Sequence, residues 1–380
     1  MRKLLVPLLL LSTVLAGAAT GIVQDQCGPF TDVAPTICPY VLEMYYLGIT
    51  AGTSPTTYSP DNPVTRGQAA VFVSKGVNQS IARSSRRAAL GQWWTTQQPT
   101  LLPPTPVGMG SFTCASDGAD VWVPAGDGTV TRVRASDGAV IETWTGAAAA
   151  YGVTIAMGRV LVTGQVPGAG KLYMLDPSQP AGAVTTVADN LGTVQGLAFD
   201  GSQVWIASGN PTIAIVTPGP TVPWTTKTVG GFGGTSTLLF DGTNMWVTDY
   251  VQNALLRVDS SGSILQTVPT GLSPGFSVFD GANIWVPGLD GTVTVIRAST
   301  GAVLATLTGN GLDGAVAAAF DGERVLVANS GPETVSLFRA ADLTPTGSMP
   351  TGTATVPTGV CSDGVGFWIT LRASGRLARF

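Results

Sequence analysis

The chain has 380 residues, of which 11% are charged, with a net charge of −4, four cysteines and no histidine. The length allows more than one domain and an ample core. The absence of a basic excess argues against a nucleic-acid role, and the lack of histidine excludes Ser-His-Asp and Cys-His nucleophiles, histidine-ligated metals and histidine general bases.

The chain opens with Arg2 and Lys3, an apolar run from Leu4 to Leu15, and the small residues Ala16, Gly17 and Ala18. This charge, core and small-residue order predicts a secretory signal peptide over 1–19, cleaved after Ala18 or Ala19. The apolar run is short for a membrane span, no lipobox cysteine follows it, and no later stretch is long enough to cross a bilayer. The expected product is therefore exported and has no membrane span.

Residues 27–78 have a different texture from the rest. Ile37, Val41, Tyr45 and Leu47 fall at helical spacing and Gly48 supplies a stop. Thr65 is a good N-cap for a second helix, and Gln68 three residues later completes a capping box, followed by an apolar face of Ala69, Phe72 and Val73. The runs Phe30-Thr31-Asp32-Val33, Gly48-Ile49-Thr50-Ala51-Gly52, Tyr58-Ser59-Pro60 and Val64-Thr65-Arg66-Gly67-Gln68-Ala69 together resemble a small helical S-layer homology module. The resemblance implies non-covalent attachment to cell-wall polysaccharide or peptidoglycan, with Asp32 and Thr65, Arg66, Gly67 and Gln68 as the glycan-binding positions. Arg66 matches the arginine of the family's Thr-Arg-Ala-Glu motif, and its planar guanidinium suits carboxylate or ketal recognition. Gln68 replaces the acidic residue of that motif, and one module stands where family members often carry three, so avidity from oligomerisation is an expected supplement.

Residues 79–99 are polar, hold Arg83, Arg86 and Arg87, and end at Trp93 and Trp94. They read as a linker or short helix whose tryptophan pair docks on the C-terminal region.

From residue 100 to 380 one stretch recurs seven times. A turn ending at Gly118, Gly158, Gly201, Gly242, Gly281, Gly322 or Gly364 leads to Trp122, Leu161, Trp205, Trp246, Trp285, Leu326 or Trp368, at intervals of 39 to 43 residues. That period marks a solenoid, propeller or array. The unit from Pro274 shows four apolar runs, Phe276–Phe279, Ile284–Val286, Thr292–Arg297 and Val303–Leu307, separated by turn residues. The period-two alternation suits strands, and Asp-Gly supplies the positive φ of a tight hairpin. Each unit is then a four-stranded meander that buries its faces only by radial stacking, with the tryptophan as an inter-blade wedge. The last unit lacks a fourth strand at the C-terminus, and 101–107 aligns with one, which predicts a seven-bladed β-propeller closed by joining the two ends of this region. The repeat resembles seven-bladed propellers of the lactonase-like, surface-layer type.

Four cysteines pair in three ways. Cys27 and Cys38 flank a short segment, and Cys114 and Cys361 fall on inner strands that become neighbours on closure, so pairs 27–38 and 114–361 are expected. Asp117, Asp200, Asp241, Asp280, Asp321 and Asp363 sit in the repeated turns and read as turn formers. The residues that vary between blades, Asp127, Asn210, Asp249, Tyr250, Asn253, Asp290, Asn329 and Glu333, are expected in the loops joining second to third strands, around the channel mouth, where a rigid frame presents a binding surface. Their spacing supports no metal site, and no cofactor motif is present. The reading that results is a secreted, envelope-associated binding protein, tethered to wall glycan and presenting the propeller to a protein or glycan ligand. The alternatives are a histidine-free hydrolase using paired carboxylates and a purely structural envelope component.

Overall fold

The computed structural model describes residues 27–46, 49–82, 104–209 and 211–380. The expected signal peptide, Leu47, Gly48, Trp93, Trp94 and Asn210 lie outside them. The chain divides into two compact units, Met1–Gln92 and Trp93–Phe380.

In the first unit a disulfide joins Cys27 to Cys38 across a Cα–Cα distance of 5.4 Å. Helix α1, Cys38–Tyr46, carries Val41 into a small core with Cys27 and Phe30. Phe30 meets Tyr45 edge-on at 5.2 Å and Tyr58 at 5.6 Å, the geometry that the ring quadrupoles favour. Helix α2 spans Arg66–Ala82 and so runs past residue 78, into the stretch read as linker. The expected capping box forms: Thr65 N–H donates to Gln68 Oε1 at 2.9 Å and Gln68 N–H to Thr65 Oγ1 at 3.2 Å. The expected apolar face is not covered within the unit, since Ala69 and Val73 are exposed and Phe72 is half-buried.

The second unit is a seven-bladed β-propeller of seven four-stranded antiparallel sheets. In six blades the strands follow chain order from the inner to the outer edge, over 115–145, 150–188, 197–230, 235–269, 278–307 and 315–350. The seventh takes three strands from 357–379, and its outer strand is Thr105–Pro106, paired with Leu377 and Arg376. The ring thus closes where the sequence placed the missing strand. Cys114 and Cys361 are bonded across this seam, between the inner strands of the first and last blades.

Seven apolar clusters account for the core, each at one blade interface. The wedge residues anchor them. Trp122 packs with Tyr173 and Leu175 of the next blade, Trp285 with Val325 and Phe338, and Trp368 with Val121 and Val133 across the seam. These indoles are at most 1% exposed; truncating one to alanine costs about 3–5 kcal/mol.

Around the axis, neighbouring inner strands bond directly. Thr113 Oγ1 donates to Tyr151 O at 2.7 Å, Gly196 N–H to Ser236 O at 3.0 Å, Thr237 Oγ1 to Gly275 O at 3.2 Å and Phe276 N–H to Val316 O at 2.9 Å. Bulges in four inner strands leave N–H groups without a ladder partner. In three of them a threonine on the second strand supplies it: Thr163 accepts from Gly152, Thr248 from Thr237 and Thr370 from Gly359.

Candidate functional site

An antiparallel meander puts its first-to-second and third-to-fourth turns on one face of the ring. Its second-to-third loops and the connections between blades lie on the other. Asp127, Tyr250, Asn253, Asp290 and Glu333 lie in those second-to-third loops. What the sequence does not reveal is what they hold. Asp127 accepts from Met109 N–H at 3.1 Å, Asp290 from Leu272 N–H at 3.0 Å and Glu333 from Ala354 N–H at 2.7 Å. Asn253 Oδ1 accepts from Ser273 N–H at 2.8 Å, and Tyr250 donates to Gly209 O at 3.0 Å. Each of these side chains pins an adjacent loop or an inter-blade connection. Burial raises the Asp290 carboxyl, but the Leu272 and Thr292 hydrogen bonds outweigh it and hold the group below its ordinary value.

Asp249 and Asn329 end the second strands of their blades and are fully buried, so they stand behind the face rather than on it. Asp249 gathers the backbone N–H groups of Gly233, Gly234, Val251 and Gln252. Asn329 donates to Thr334 and Ser336.

The inner rim of the same face carries a second group of residues. Phe112 and Tyr151 occupy equivalent positions at the start of the first two inner strands, with ring centroids 4.5 Å apart. Phe276 reaches from blade five to within 6.3 Å of Tyr151. Three rings from different blades therefore converge on the axis. Beneath them lies a cavity of about 80 Å³, lined by Thr113, Cys114, Gly152, Leu197, Thr237 and Phe276 among others. The aromatic side chains thus stack on one another where an open propeller would have a channel mouth. Arg372, exposed in the last second-to-third loop, sets its guanidinium 4.2 Å from the Phe112 centroid, a cation–π contact. Among the described residues no carboxylate pairs with Arg372, and no hydrogen bond reaches the Tyr151 hydroxyl. Burial pushes the Tyr151 phenol above its ordinary value, against a smaller opposing pull from Arg372. No motif announces this group, because its members come from two inter-blade connections, the start of one inner strand and one loop, far apart in the chain. The one sequence signal is that Phe112 and Tyr151 stand where Gln195, Ser236 and Thr358 are found in other blades.

In the first unit, Asp32 accepts from Tyr58 N–H at 2.8 Å and Ser59 N–H at 2.7 Å. The Tyr58 hydrogen bond is the main cause of its lowered pKa. Asp32 therefore fixes the turn at Ser59, whose φ is 58°. Thr65 and Gln68 hold each other, and Gly67 follows the cap inside α2. Arg66, first residue of α2, is exposed and has no acidic partner among the described residues. The capping box holds the backbone from which this cation projects.

Residues 29–70 match the family model of the S-layer homology domain. Comparison with curated proteins gives no match. Among solved structures the chain is similar to selenomethionine-substituted virginiamycin B lyase from Staphylococcus aureus, at 16% identity and a TM-score of 0.61 over 71% of this chain and 94% of that one. A streptogramin B lyase matches at 15% identity and a TM-score of 0.60, over 73% and 95% of the two chains. The β-propeller domain of Cps50 (Swd1) from Myceliophteria thermophila matches at 11% identity and a TM-score of 0.61, over 74% and 98%. At such identities the likeness shows the fold alone.

Proposed function

We propose that the protein is an exported component of the cell envelope, held on cell-wall polysaccharide or peptidoglycan by its S-layer homology module and offering the loop-bearing propeller face as a recognition surface. The observation that carries the reading is the family match over 29–70, with Arg66 exposed on a helix start locked by Thr65 and Gln68. S-layer homology domains bind cell-wall polysaccharides. Disulfides on both units fit an oxidising compartment outside the cytosol, and among the described residues no helix is long and apolar enough to cross a membrane.

The hydrolase alternative draws less support. A paired-carboxylate mechanism needs one acid and one base facing the substrate. Asp127, Asp290 and Glu333 instead accept backbone N–H groups, and Asp249 is buried. The purely structural alternative leaves the rim cluster of Phe112, Tyr151, Phe276 and Arg372 without a use.

Sedimentation with purified cell walls tests the tether. The full chain co-sediments, and Arg66→Ala stays in the supernatant while keeping its fold by circular dichroism. Asp32→Ala loses retention together with the fold of the module, because its turn loses two charge-assisted hydrogen bonds. Retention of Arg66→Ala at the level of the unaltered chain removes Arg66 from the mechanism.

A further inference from the structure

We infer that the Cys27–Cys38 disulfide makes wall attachment conditional on oxidation: the S-layer homology module holds its wall-binding shape with the bond closed and loses it with the bond open, while the propeller keeps its fold in both states. The inference rests on the reading of that module as the tether and names what regulates it.

The module has little else to hold it. Among its described residues only Cys27, Phe30, Val41 and Ile49 are buried, and Cys27, Phe30 and Val41 form its apolar cluster. One of those three is half of the disulfide. Helix α2 adds little, since Ala69, Val71 and Val73 are exposed. A core this small does not hold a domain by burial alone, and small exported domains are stapled by disulfides for that reason. Cys27 and Cys38 are 11 residues apart. Closing a loop of that length shifts the folded-to-unfolded ratio on the order of a hundredfold in the loop-entropy account.

The bond also fixes the segment that supports the rest of the module. Cys27 O accepts Phe30 N–H at 3.1 Å, and the Phe30 ring meets Tyr45 of α1 and Tyr58. Thr31 N–H donates to Thr56 O at 3.0 Å, and Asp32 takes the N–H groups of Tyr58 and Ser59. Residues 27–32 therefore tie α1 to the turn around Ser59, and the chain passes from that turn to the Thr65 cap and Arg66 within a few residues. With the bond open, among the described residues only side-chain packing holds this segment to α1, and the turn it supports is released.

The two disulfides differ in access and in what depends on them. Cys38 is half-buried. Cys114 and Cys361 are each 9% exposed and join two blades of a ring that seven apolar clusters already hold. A dithiol reductant therefore meets Cys38 first. Its thiolate attacks Cys38 Sγ, the S–S bond breaks, and Cys27 leaves as a thiolate that takes up a proton. The second thiol of the reductant then displaces Cys38 from the mixed disulfide, and the reductant ends as its own disulfide, having given two electrons to the cystine. The reverse exchange with a disulfide oxidant outside the cytosol closes the bond, so the chain gains its tether only once exported.

The test uses the full chain, dithiothreitol as reductant and purified cell walls. Limited reduction followed by alkylation and peptide mapping labels Cys27 and Cys38 while Cys114 and Cys361 stay bonded. Wall retention then falls at least about tenfold and returns when oxidised glutathione reseals the bond. The double substitution Cys27→Ser with Cys38→Ser is not retained with or without dithiothreitol. Cys114→Ser with Cys361→Ser is retained and still loses retention on reduction. Hydrogen exchange reads the same dependence without the wall: amides of 27–60 lose protection on reduction and those of the propeller do not. Retention of the Cys27→Ser, Cys38→Ser chain at the level of the unaltered one, or unchanged protection over 27–60, overturns the inference. So does labelling of Cys114 and Cys361 ahead of Cys27 and Cys38. Failure of the oxidised, unaltered chain to sediment overturns the tether reading alone, since the loss of protection still reports that the module's fold depends on the bond.

Discussion

The indole Nε1 of Trp205 donates to Oδ2 of Asp200 at 2.7 Å. The other oxygen of the same carboxylate accepts the backbone N–H groups of Ser202 and Gln203. One aspartate thus closes the turn between the first two strands and also fixes the wedge that fills the blade interface. The arrangement recurs in Asp117 with Trp122, Asp241 with Trp246, Asp280 with Trp285 and Asp363 with Trp368, at 2.7 to 3.1 Å. In the sixth blade, where Leu326 replaces the tryptophan, Arg324 Nε takes the indole's place on Asp321 at 2.9 Å and stacks on Phe367 of the next blade. The repeated aspartate is thus both turn former and hydrogen-bond partner of the wedge.

Asp200→Ala removes both functions and leaves a fully enclosed indole N–H without an acceptor. An unmatched buried donor costs about 1–3 kcal/mol, and loss of the turn adds to it. Urea unfolding of the propeller is expected to show a loss of about 2–4 kcal/mol. Asp200→Asn keeps an acceptor oxygen and loses less. A change of under about half a kcal/mol for Asp200→Ala, the size of an ordinary surface substitution, would show that the indole bond is incidental.

Acid exposes the same carboxylates. Burial pushes Asp117 and Asp200 up, but the hydrogen bonds from Trp122 or Trp205 and the turn N–H groups outweigh it, so both lie below their ordinary value of 3.8 in the folded state. A depressed folded pKa contributes stability above the unfolded value. That contribution fades as pH falls through 3.8 and is gone below the folded value. The urea midpoint of the propeller is therefore level, for these groups, from neutral pH down to about pH 5 and drops below about pH 4. Asp200→Asn shows a shallower acid drop than the unaltered chain, and equal slopes would count against this account.

The seam makes a third case. Cys114 and Cys361 are 247 residues apart in sequence and 5.7 Å apart at Cα. Cross-linking a loop of that length restrains the unfolded chain by about 5 kcal/mol in the loop-entropy account. The seam also has the short pairing of Thr105–Pro106 with Leu377 and Arg376 and the cluster around Trp368. The double substitution Cys114→Ser with Cys361→Ser is expected to fold, to melt many degrees lower, and to fray first at the seam by hydrogen exchange. A melting temperature within a degree of the unaltered chain would mean that pairing and packing alone close the ring.

How much of this was legible in sequence depends on whether the information is local. The turn at Gly281 and the wedge at Trp285 are four residues apart, so period and spacing reveal the blade. The closing strand was legible because 101–107 aligns with a fourth strand while the C-terminus lacks one. Thr163, Thr248 and Thr370 were not legible as bulge partners, because a threonine in a strand satisfies strand propensity without signalling a hydroxyl's partner. Asp249 and Asn329 stand out as irregular between blades, which marks surface loops and buried latches alike. Arg372 and Phe112 are brought together only by ring closure, and no local pattern records a contact across the seam.

The glycines of the inner strands carry the last prediction. At Gly275 an added Cβ would run into the carbonyl oxygen of Val316 in the next blade. No φ constraint is involved there, since Gly275 does not take a positive φ; the demand is close approach alone. Relief requires the inner strands of blades five and six to move apart, against Phe276 N–H to Val316 O and Ala318 N–H to Phe276 O, both at 2.9 Å. Overpacking of this kind costs about 1–3 kcal/mol, and two strained hydrogen bonds add about 1 kcal/mol each. Gly281 offers the contrast: its φ is 96° but nothing lies within 4 Å of a Cβ, so alanine there meets only backbone strain of about 1–3 kcal/mol. Both substitutions lower the urea midpoint, but only Gly275→Ala displaces Phe276 and so disturbs the aromatic stack at the axis. The discriminating measurement is the NMR spectrum of the Phe276 and Tyr151 rings in the two variants. Identical ring shifts in Gly275→Ala and the unaltered chain would show that the inner strands yield without moving the rings.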